Sequence, residues 1–281
     1  MDIEQAKTFL AIITHGSFLE ASKHLHVTQS TVSARISSLE NYLDTKLFVR
    51  NRSGATLTQA GRRFLTHAKN LISTMEQARH DIGLPSRYVG KLRIGGRIAL
   101  WENFLPACVG RIRQEIPDIS ILSEIGFEED LVNHLVEGTL DIGLMYTPRY
   151  VPDLLIEKIF DETLVYVSTD PSQQFPDENY IHVNWGPGFY EKHREHYPDM
   201  DIPAQVVNIG WLAIQLALSN GGSCFLPRRM AQPLIDSKKL HEIHHAPEFK
   251  LPAYMVFSRS VEDGHLHKVI NIIREMSEEV Q

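Results

Sequence analysis

The sequence has no long apolar segment. Across 281 residues no run of about 18 apolar side chains occurs, so a transmembrane helix is not indicated. The first residues also lack a basic stretch followed by an apolar one, and no signal peptide is therefore recognised. We expect a cytoplasmic protein without membrane attachment.

Cysteine is nearly absent. Cys108 and Cys224 are the two cysteines of the sequence, and they lie far apart among apolar neighbours. This pattern favours buried free thiols over a disulfide or a redox pair.

Motifs of catalysis and metal binding are missing too. The sequence contains no P-loop, no helical HExxH and no Ser/His/Asp order. The histidine-rich runs EKHREH (Glu191–His196) and HEIHH (His241–His245) lack the carboxylate or cysteine set that would complete a metal site, so we interpret them as solvated polar segments. The Gly-Gly pairs at 95–96 and 221–222 are interpreted as turns. We expect no enzyme activity, no catalytic residue, no metal and no cofactor.

The charge of the chain is unevenly distributed. The net charge is −7, yet residues 1–90 hold eleven Lys and Arg against seven Asp and Glu. Residues 91–281 hold 17 Lys and Arg against 28 Asp and Glu. A basic segment beside an acidic remainder indicates that only the first part meets a polyanion.

The segment TQSTVSARISSLE, Thr28–Glu40, predicts a helix with two unlike faces. At about 100° per residue, Val32, Ile36 and Leu39 form one apolar stripe. Thr28 suits the N-cap, because its hydroxyl can accept a hydrogen bond from a free amide of the first turn. The opposite arc is short and polar, with Gln29 at the helix entrance and Arg35 at the edge, and consists of Ser30, Thr31, Ser33, Ala34, Ser37 and Ser38.

A second helix precedes this one. Ser17-Phe18-Leu19-Glu20 reads as a capping box, in which Ser17 accepts from the Glu20 amide and the Glu20 carboxylate reaches back. The helix is expected to end near His26, with small Ala21 where two helices approach closely. This is the arrangement of a helix-turn-helix.

A hairpin follows the serine-rich helix. The runs 47–49 and 55–57 flank Arg50 and Arg52, which predicts a β-hairpin wing with a basic tip. Each piece alone is common on protein surfaces. In this order and spacing they predict a domain that binds DNA.

The segment SFLEASKHLHVTQSTVSARISSLENYLDTKLFVRNRSGATLTQAG resembles the N-terminal signature of LysR-type transcriptional regulators. That family places a Ser-Phe-x-x-Ala-Ala helix before a Thr-Gln-Ser/Pro-x-Val-Ser recognition helix, then Leu-Glu, Leu-Phe and a basic wing ending in Leu-Thr-x-Ala-Gly. The resemblance implies a bacterial α+β regulator with a winged helix-turn-helix (1–60), a linker helix and hinge (58–90), and an α/β effector domain similar to periplasmic binding proteins (91–281). One departure is Ala34, where the family often has arginine or a long polar residue.

The predicted DNA contacts follow from this geometry. Gln29, Ser33 and Arg35 are expected at or near base edges, where Gln29 could bond an adenine and the Ala34 methyl could meet a thymine methyl. We therefore expect A and T near the centres of the half-sites. Contacts to phosphates are predicted for Ser17, Ser30, Thr31, Arg50 and Arg52. The full predicted DNA-binding set is Ser17, Thr28, Gln29, Ser30, Thr31, Ser33, Ala34, Arg35, Arg50 and Arg52.

The stretch from Thr58 to about Ile82 predicts one long helix. Its apolar residues recur at steps of four and three, the pattern of a two-stranded seam, and are Phe64, Ala68, Leu71, Met75, Ala78 and Ile82. We interpret them as the dimerisation surface of a homodimer, with a dimer and a tetramer both open as the final assembly, and packing on the helix's own domain is the alternative. Two recognition helices about 34 Å apart predict an inverted-repeat operator. Gly83-Leu84-Pro85-Ser86 reads as a hinge.

Beyond Lys91, short apolar strands alternate with helices, which predicts a doubly wound sheet. The predicted strands are 92–96, 118–124, 140–146, 163–169, 179–185, 204–209, 223–227 and 252–258. Helices are predicted around 105–112 and 131–138, near 211–222, from about Arg228 and over about 263–279. The LysR-type effector region is similar in layout, which implies subdomain 1 (about 91–165 and 255–281), subdomain 2 (about 166–254) and a cleft between them.

Ligands of such sheets bind beyond the carboxyl ends of strands. The predicted effector-binding residues are Arg97, Ile98, Ala99, Trp101, Phe127, Tyr146, Thr147, Asn208 and Trp211. Relatives that bind small carboxylates often have Ser or Thr near positions 99 and 127, and this chain has neither. We therefore expect an apolar or aromatic small-molecule effector anchored by Arg97, or no effector. A salt bridge for Arg97 and core packing for the two tryptophans are the alternatives.

Two other functions compete with an effector-responsive regulator. The βα layout alone would allow a solute-binding or transferase module, which the missing secretion signal and missing catalytic motifs disfavour. A constitutive DNA binder that never senses a ligand would share the whole N-terminal pattern.

Overall fold

The computed structural model describes residues 2–51, 54–81, 87–173, 175, 178–198, 200, 203–259 and 264–280. Four predicted features lie outside this part of the chain: Arg52 at the tip of the wing, the side chain of Arg50, Ile82 and the hinge at 83–86.

The N-terminal domain has the predicted winged helix-turn-helix order. Its elements are α1 (Ile3–His15), α2 (Phe18–His24), α3 (Gln29–Tyr42), β1 (Phe48–Asn51), β2 (Gly54–Leu57) and α4 (Gln59–Asp81). Ala21 is fully buried between the helices, as predicted. The second helix ends two residues earlier than predicted, because His26 has a left-handed φ of 53° that a helix cannot continue.

The cap of α2 is half of the predicted capping box. The Ser17 hydroxyl accepts from the Glu20 amide at 3.1 Å, as expected. The Glu20 carboxylate accepts from Lys23 Nζ at 2.7 Å instead of reaching back to the N-cap. A lysine one turn later on the same helix face offers the carboxylate a charged partner.

The first half of α4 belongs to the core of its own domain. Phe64 is 8% exposed and Ala68 is fully buried, and the Phe64 ring meets Phe9 of α1 edge to face at 5.0 Å. Phe64 and Ala68 therefore pack on their own domain, which was the alternative to a dimer seam. A small domain needs α4 to close its core. Leu71 is half-buried, whereas Met75 and Ala78 are exposed. The part of the predicted seam that faces outward begins beyond Leu71.

The C-terminal part contains β3 (Gly90–Gly96), α5 (Ile98–Trp101), α6 (Phe104–Glu115), β4 (Ile119–Ile125), α7 (Glu128–Glu137), β5 (Ile142–Met145), β6 (Leu154–Ser168), β7 (Ile181–Val183), α8 (Pro187–His196), β8 (Gln205–Val207), α9 (Gly210–Asn220), β9 (Ser223–Pro227), α10 (Arg228–Asp236), β10 (His241–Glu242), β11 (Phe249–Ser258) and α11 (Gly264–Glu278). Every predicted strand overlaps an observed one. The run interpreted as a solvated segment at 191–196 is instead the second half of α8, a helix with a single buried stripe through Phe189 and His193.

Most strands form one sheet in the order β10-β6-β11-β5-β3-β4, with β9 also paired to β6. Strand β3 is parallel to β4 and β5, whereas β11 is antiparallel to β5 and β6. The pair β7 and β8 forms a separate parallel sheet. The order places the carboxyl ends of β3, β4 and β5 at one edge of the sheet.

Strand β11 pairs along its whole length with β6, from Leu154 to Leu164. Their register shifts between Ala253 and Tyr254, where Ala253 faces Phe160 and Tyr254 faces Lys158. Ile159 is thereby left as the extra residue of a bulge. The predicted strand at 163–169 is the outer end of this longer β6.

The glycines at 95 and 96 lie in strand β3 and not in a turn. A Cβ built at Gly95 would lie 2.7 Å from Leu131 Cδ2, and one at Gly96 would lie 2.5 Å from Leu105 Cδ1. The helices on the two sides of the sheet leave no room for a side chain there. Gly221 and Gly222, with φ of 76° and 137°, form the predicted turn.

Both cysteines are buried free thiols, as predicted. Burial raises the pKa of Cys108 and of Cys224 to about 12. A thiol with such a pKa is not a thiolate at neutral pH and is a poor nucleophile. Within the described residues no helix has the length and apolarity needed to cross a bilayer. No three His, Cys, Asp or Glu side chains in the same part of the chain are grouped as metal ligands would be.

The outer half of the domain, built on β7, β8 and β9, has an aromatic core that encloses His193. Its ring stacks on Tyr180 at 5.7 Å between centroids, and Nε2 lies 3.2 Å from the Tyr180 hydroxyl. Burial, followed by repulsion from His182 and His196, lowers the pKa of His193 to about 4. The native core therefore holds a neutral imidazole.

Acid should destabilise this core through His193. The unfolded chain takes up a proton near pH 6.5, whereas the folded chain takes it up only near pH 4. The contribution of neutral His193 to the free energy of unfolding is fully present above pH 6.5. It is lost as the pH falls toward 4, by up to about 3 kcal/mol. Urea unfolding at pH 7.5, 6 and 5 measures the free energy of unfolding at each pH. As the pH falls, this free energy should decrease more for the native protein than for His193→Phe. His245→Phe, at an exposed histidine, should lose as much unfolding free energy with falling pH as the native protein does. An equal pH dependence for all three proteins would contradict the role of His193.

Candidate nucleic-acid interface and effector cleft

Helix α3 presents the predicted polar face to solvent. Val32 and Leu39 are fully buried and Ile36 is 1% exposed, so the apolar stripe anchors the helix. On the opposite side Gln29, Ser30 and Ala34 are exposed, and Thr31 and Ser33 are half-buried. The side chains at the N-terminal end of α3 thus extend from a rigid support, which suits insertion into a groove of DNA.

The N-cap of α3 is a small network of hydroxyl groups. Thr28 Oγ1 accepts from the Thr31 amide at 3.2 Å, as predicted for the cap. It also lies 2.8 Å from Ser30 Oγ and 2.8 Å from Thr31 Oγ1. The amides and hydroxyls of this helix end carry the positive end of the helix dipole, which favours a phosphate.

Arg35 is held against α1. Its Nη1 lies 3.1 Å from Glu4 Oε2 and donates to Thr8 Oγ1 at 3.3 Å, and the side chain is 25% exposed. Gln5 Nε2 donates to Ser38 Oγ at 3.0 Å on the same side, so Ser38 also connects α3 to α1. In this conformation Arg35 braces α3 and does not extend beside Gln29.

The wing is fixed to α3 through Glu40, a residue that the sequence analysis missed. Its buried carboxylate accepts from Lys46 Nζ at 2.7 Å and from the amides of Leu47 at 2.9 Å and Phe48 at 3.4 Å. Burial alone would raise the pKa of Glu40, but these hydrogen bonds hold it below its ordinary value. The Leu-Glu pair of the resemblance therefore has a structural role: it orders the start of β1.

The end of the wing is fixed by Thr58 and Gly61. Thr58 Oγ1 donates to Lys46 O at 2.7 Å and accepts from the Gly61 amide at 2.9 Å, which caps α4. A Cβ built at Gly61 would lie 2.2 Å from Leu47 O. The Leu-Thr-x-Ala-Gly motif thus permits the close packing of α4 on the wing.

Two exposed arginines extend the basic surface. Arg62 and Arg63 lie near the start of α4, shortly after the wing. Their adjacency in the sequence, directly behind the motif, was the signal that could have added them to the predicted DNA-binding residues.

Arg97 directly follows strand β3, and its charge is balanced. It is 6% exposed, its Nε lies 3.4 Å from Glu128 Oε1, and its guanidinium lies 4.5 Å from the centre of the Phe127 ring. Its Nη2 donates to the backbone oxygen of Asn208, directly after β8, at 3.1 Å. The salt bridge weighed for Arg97 is therefore present, and the residue does not offer a free cation to an anion.

The other predicted effector residues differ in their exposure. Trp101 packs on the core and donates to Glu124 O at 2.9 Å, whereas Trp211 is 46% exposed. Ala99 and Tyr146 are buried and Ile98 is half-buried. The exposed remainder consists of Phe127, Thr147 and Asn208.

A second buried ion pair lies behind Tyr146, and sequence reasoning missed it. Arg229 of α10 pairs with Glu162 of β6, and the Tyr146 hydroxyl donates to the same carboxylate at 3.2 Å. Arg229 also donates to Ala99 O at 2.9 Å and to Glu102 O. Arg97 and Arg229 thus both donate to backbone oxygens of segments distant in sequence, and each is paired with a carboxylate. Arg229 and Glu162 are 67 positions apart in the sequence, so no local pattern indicated that they pair.

Comparisons with known proteins agree with this geometry. The chain matches the family model of the bacterial regulatory helix-turn-helix protein, lysR family, over residues 3–62 and that of the LysR substrate binding domain over residues 86–277. It is 30% identical over 260 residues to the HTH-type transcriptional regulator HdfR of Salmonella typhimurium, with 92% of each chain covered.

Two solved structures are similar in fold. ArgP from Mycobacterium tuberculosis is 18% identical, with a TM-score of 0.61 and coverage of 99% of this chain and 97% of that one. LysG from Corynebacterium glutamicum with bound effector Arg is 19% identical, with a TM-score of 0.58 and 99% of each chain covered. The chain belongs to the LysR family of bacterial transcriptional regulators, a family of DNA-binding proteins with an effector domain and not of enzymes.

Proposed function

We propose that this regulator reads an inverted-repeat operator with the exposed N-terminal half of α3. The observation that supports it is the exposure of Gln29, Ser30 and Ala34 over the buried stripe of Val32, Ile36 and Leu39. Gln29 and Ser33 would contact base edges, and the hydroxyls around Thr28 would contact phosphates. Arg35 would join them only by leaving Glu4. Arg50, Arg52 and the exposed Arg62 and Arg63 would contact the backbone on either side.

The operator is most directly found by footprinting the protein on the intergenic DNA beside its own gene. Protection of two half-sites about one helical turn apart is expected from a dimer. Affinity should fall steeply with ionic strength, since the contacts to phosphates release counterions. No protection in dilute buffer would contradict the proposal.

Gln29→Ala should relax base preference at one position of each half-site. A bidentate contact of glutamine with adenine contributes about 1–3 kcal/mol of discrimination, so the preference there should fall roughly tenfold, while binding to other sequences is nearly unchanged. Competition assays with half-site variants measure this. Asn41→Ala, at an exposed position near the other end of α3, is the control, and an equal effect of both changes would argue against Gln29 as a base contact.

For assembly, we propose that the outward part of α4 beyond Leu71 pairs two chains. Met75 is 44% exposed and Ala78 is exposed, so an apolar surface is available at the predicted spacing. A chain that reads DNA works where the chromosome is, which supports a cytoplasmic location.

For regulation, we propose that a small molecule in the cleft shifts an equilibrium between two packings of the domain. Arg97 and Arg229 already link the two sides of the cleft, so an effector must bind one arrangement of these links better than the other. Because each arginine is paired with a carboxylate, an effector without a strong negative charge fits better than a small carboxylate. LysG, a relative in fold, was solved with the effector Arg. A constitutive DNA binder would show no ligand-induced rise in melting temperature and no change of its footprint.

A further inference from the structure

We infer that the effector domain docks reversibly on its own DNA-binding domain through α7, and that release of this contact is a step in regulation. Helix α7 packs on β5 and β11 of the effector sheet, and it also packs on α1 and α4 of the N-terminal domain. The packing of α7 on α1 and α4 is called the docking contact below. Because α1 also packs on α3, one helix separates α7 from the helix that is proposed to read DNA.

The docking contact brings an acidic end of α7 toward basic groups of the N-terminal domain. Glu137 lies in the last turn of α7. Burial raises the pKa of Glu137, against the opposing effects of His134 on the same helix and of His24 and Lys7 on the other domain. The carboxylate of Glu137 is therefore attracted to α1 and α2 across the contact.

Two basic groups of the N-terminal domain are buried without a hydrogen-bond partner among the described residues. They are Nζ of Lys69, a side chain that is 8% exposed, and Nε2 of His15. Burial lowers the pKa of both side chains, while Asp153 acts to raise that of Lys69 and Glu129 acts to raise that of His15. A buried polar group that lacks a hydrogen bond costs free energy, so the docked state is held only weakly.

Apolar packing does not fix the docking contact. Among the described residues, the hydrophobic cluster of the N-terminal domain and the cluster beneath α7 remain separate. Domains that meet through a polar surface move relative to each other unless a large apolar interface holds them. The contact therefore has the properties of an equilibrium between a docked and a released state.

Each side of the docking contact is connected to a predicted ligand-binding residue. Phe127 is the N-cap of α7 and Glu128 is its first residue, and Arg97 lies against both. On the other side, α1 holds Arg35 of α3 through Glu4. The docked chain is thus the one in which Arg35 is kept from DNA, so the docked state is the weaker DNA binder. This last step rests on the proposed operator binding.

Docking is tested first on the full chain without DNA. Glu137→Lys replaces the attraction to Lys7 and His24 by a repulsion, and a lysine in the last turn of α7 suits the helix dipole, so the helix should persist. A short pulse of an acetylating reagent, read by mass spectrometry, should modify Lys69 at least fivefold faster in this variant than in the native protein, because release uncovers the amine. An unchanged melting temperature shows that both domains remain folded.

The control for Glu137→Lys is Glu195→Lys, which makes the same change of charge at an exposed position of α8. It should leave the acetylation rate of Lys69 at the native value. Equal rates in all three proteins would show that Lys69 is covered by its own domain, and they would overturn the inference.

Lys69→Met should shift the equilibrium in the opposite direction. It removes the buried charge and keeps a long side chain, so the docked state gains stability. In fluorescence anisotropy with the footprinted operator, Lys69→Met should bind at least threefold more weakly than the native protein. Glu137→Lys should bind at least threefold more tightly than Glu195→Lys. Affinities that do not move, or that move in the same direction, would overturn the regulatory role. Failure of every protein to bind DNA would instead refute the proposed operator binding and leave the acetylation result intact.

Discussion

A carboxylate at the centre of the exposed face of α3 should abolish operator binding. Ala34→Glu is expected to weaken the operator complex at least a hundredfold at moderate salt, because it brings a negative charge against the phosphates and the acceptor edges of the groove. Ala34 is exposed and buries nothing, so the melting temperature should stay within about 2 °C of the native value. Fluorescence anisotropy with a labelled operator measures the affinity.

The matched control is Ala107→Glu. Ala107 is an exposed helical alanine of the effector domain, so the same charge is added to the chain far from α3. Its operator affinity should change less than twofold. If Ala34→Glu bound the operator as well as Ala107→Glu, the face between Gln29 and Arg35 could not be the one that enters DNA.

A single methyl group at Gly61 should disrupt the wing. In Gly61→Ala the new Cβ would lie 2.2 Å from Leu47 O and 2.8 Å from Leu57 Cδ2, so backbone must move. We expect a loss of about 3 kcal/mol of unfolding free energy in the N-terminal domain, of the size seen for overpacked sites, and at least tenfold weaker operator binding. Thermal unfolding and anisotropy measure the two effects.

Gly110→Ala is the control for Gly61→Ala. Gly110 lies inside α6 with no atom near a built Cβ, so alanine there should stabilise the protein by up to about 1 kcal/mol. Equal melting temperatures for the two variants would show that the packing of α4 on the wing is looser than described.

The helix-turn-helix could be predicted from the sequence because its signals are local. The Thr28 cap, the stripe through Val32 and Ile36, and small Ala21 each act within a turn or two of the chain, and all three are confirmed. The same holds for the hairpin runs around Gly54. Periodicity and capping chemistry decide such elements before any tertiary contact forms.

The charged contacts could not be predicted, because each joins residues distant in sequence. Arg35 meets Glu4, and Arg97 meets Glu128 and the backbone of Asn208. The pair Glu162 and Arg229 depends on how β6 and α10 meet. An arginine in isolation gives no sign of its partner, so the sequence could offer a salt bridge for Arg97 only as an alternative, without naming Glu128, and it gave no indication that Arg35 meets Glu4.

Two structural features were missed for reasons of pattern. The second half of helix α8 is mostly charged, and the stripe of Phe189 and His193 is too short to show a helical period. In the first half of β6 the charged residues Glu157, Lys158 and Asp161 interrupt the apolar ones without a period of two, so the sequence showed no strand before the predicted run at 163–169.

The shared ladder of β6 and β11 determines how the effector domain can move. The two strands that join its halves are bonded to each other from Leu154 to Leu164, so the junction is a ribbon and not a pair of loose tethers. A rotation of the two halves relative to each other must then be distributed as small changes of twist over many peptide units. The bulge at Ile159 is the position in the ribbon that should deform most easily. Such a junction should resist large rotations and should return to one angle between the halves when a ligand leaves. The amides of its paired residues should be among the slowest to exchange with deuterium, even while the halves rotate.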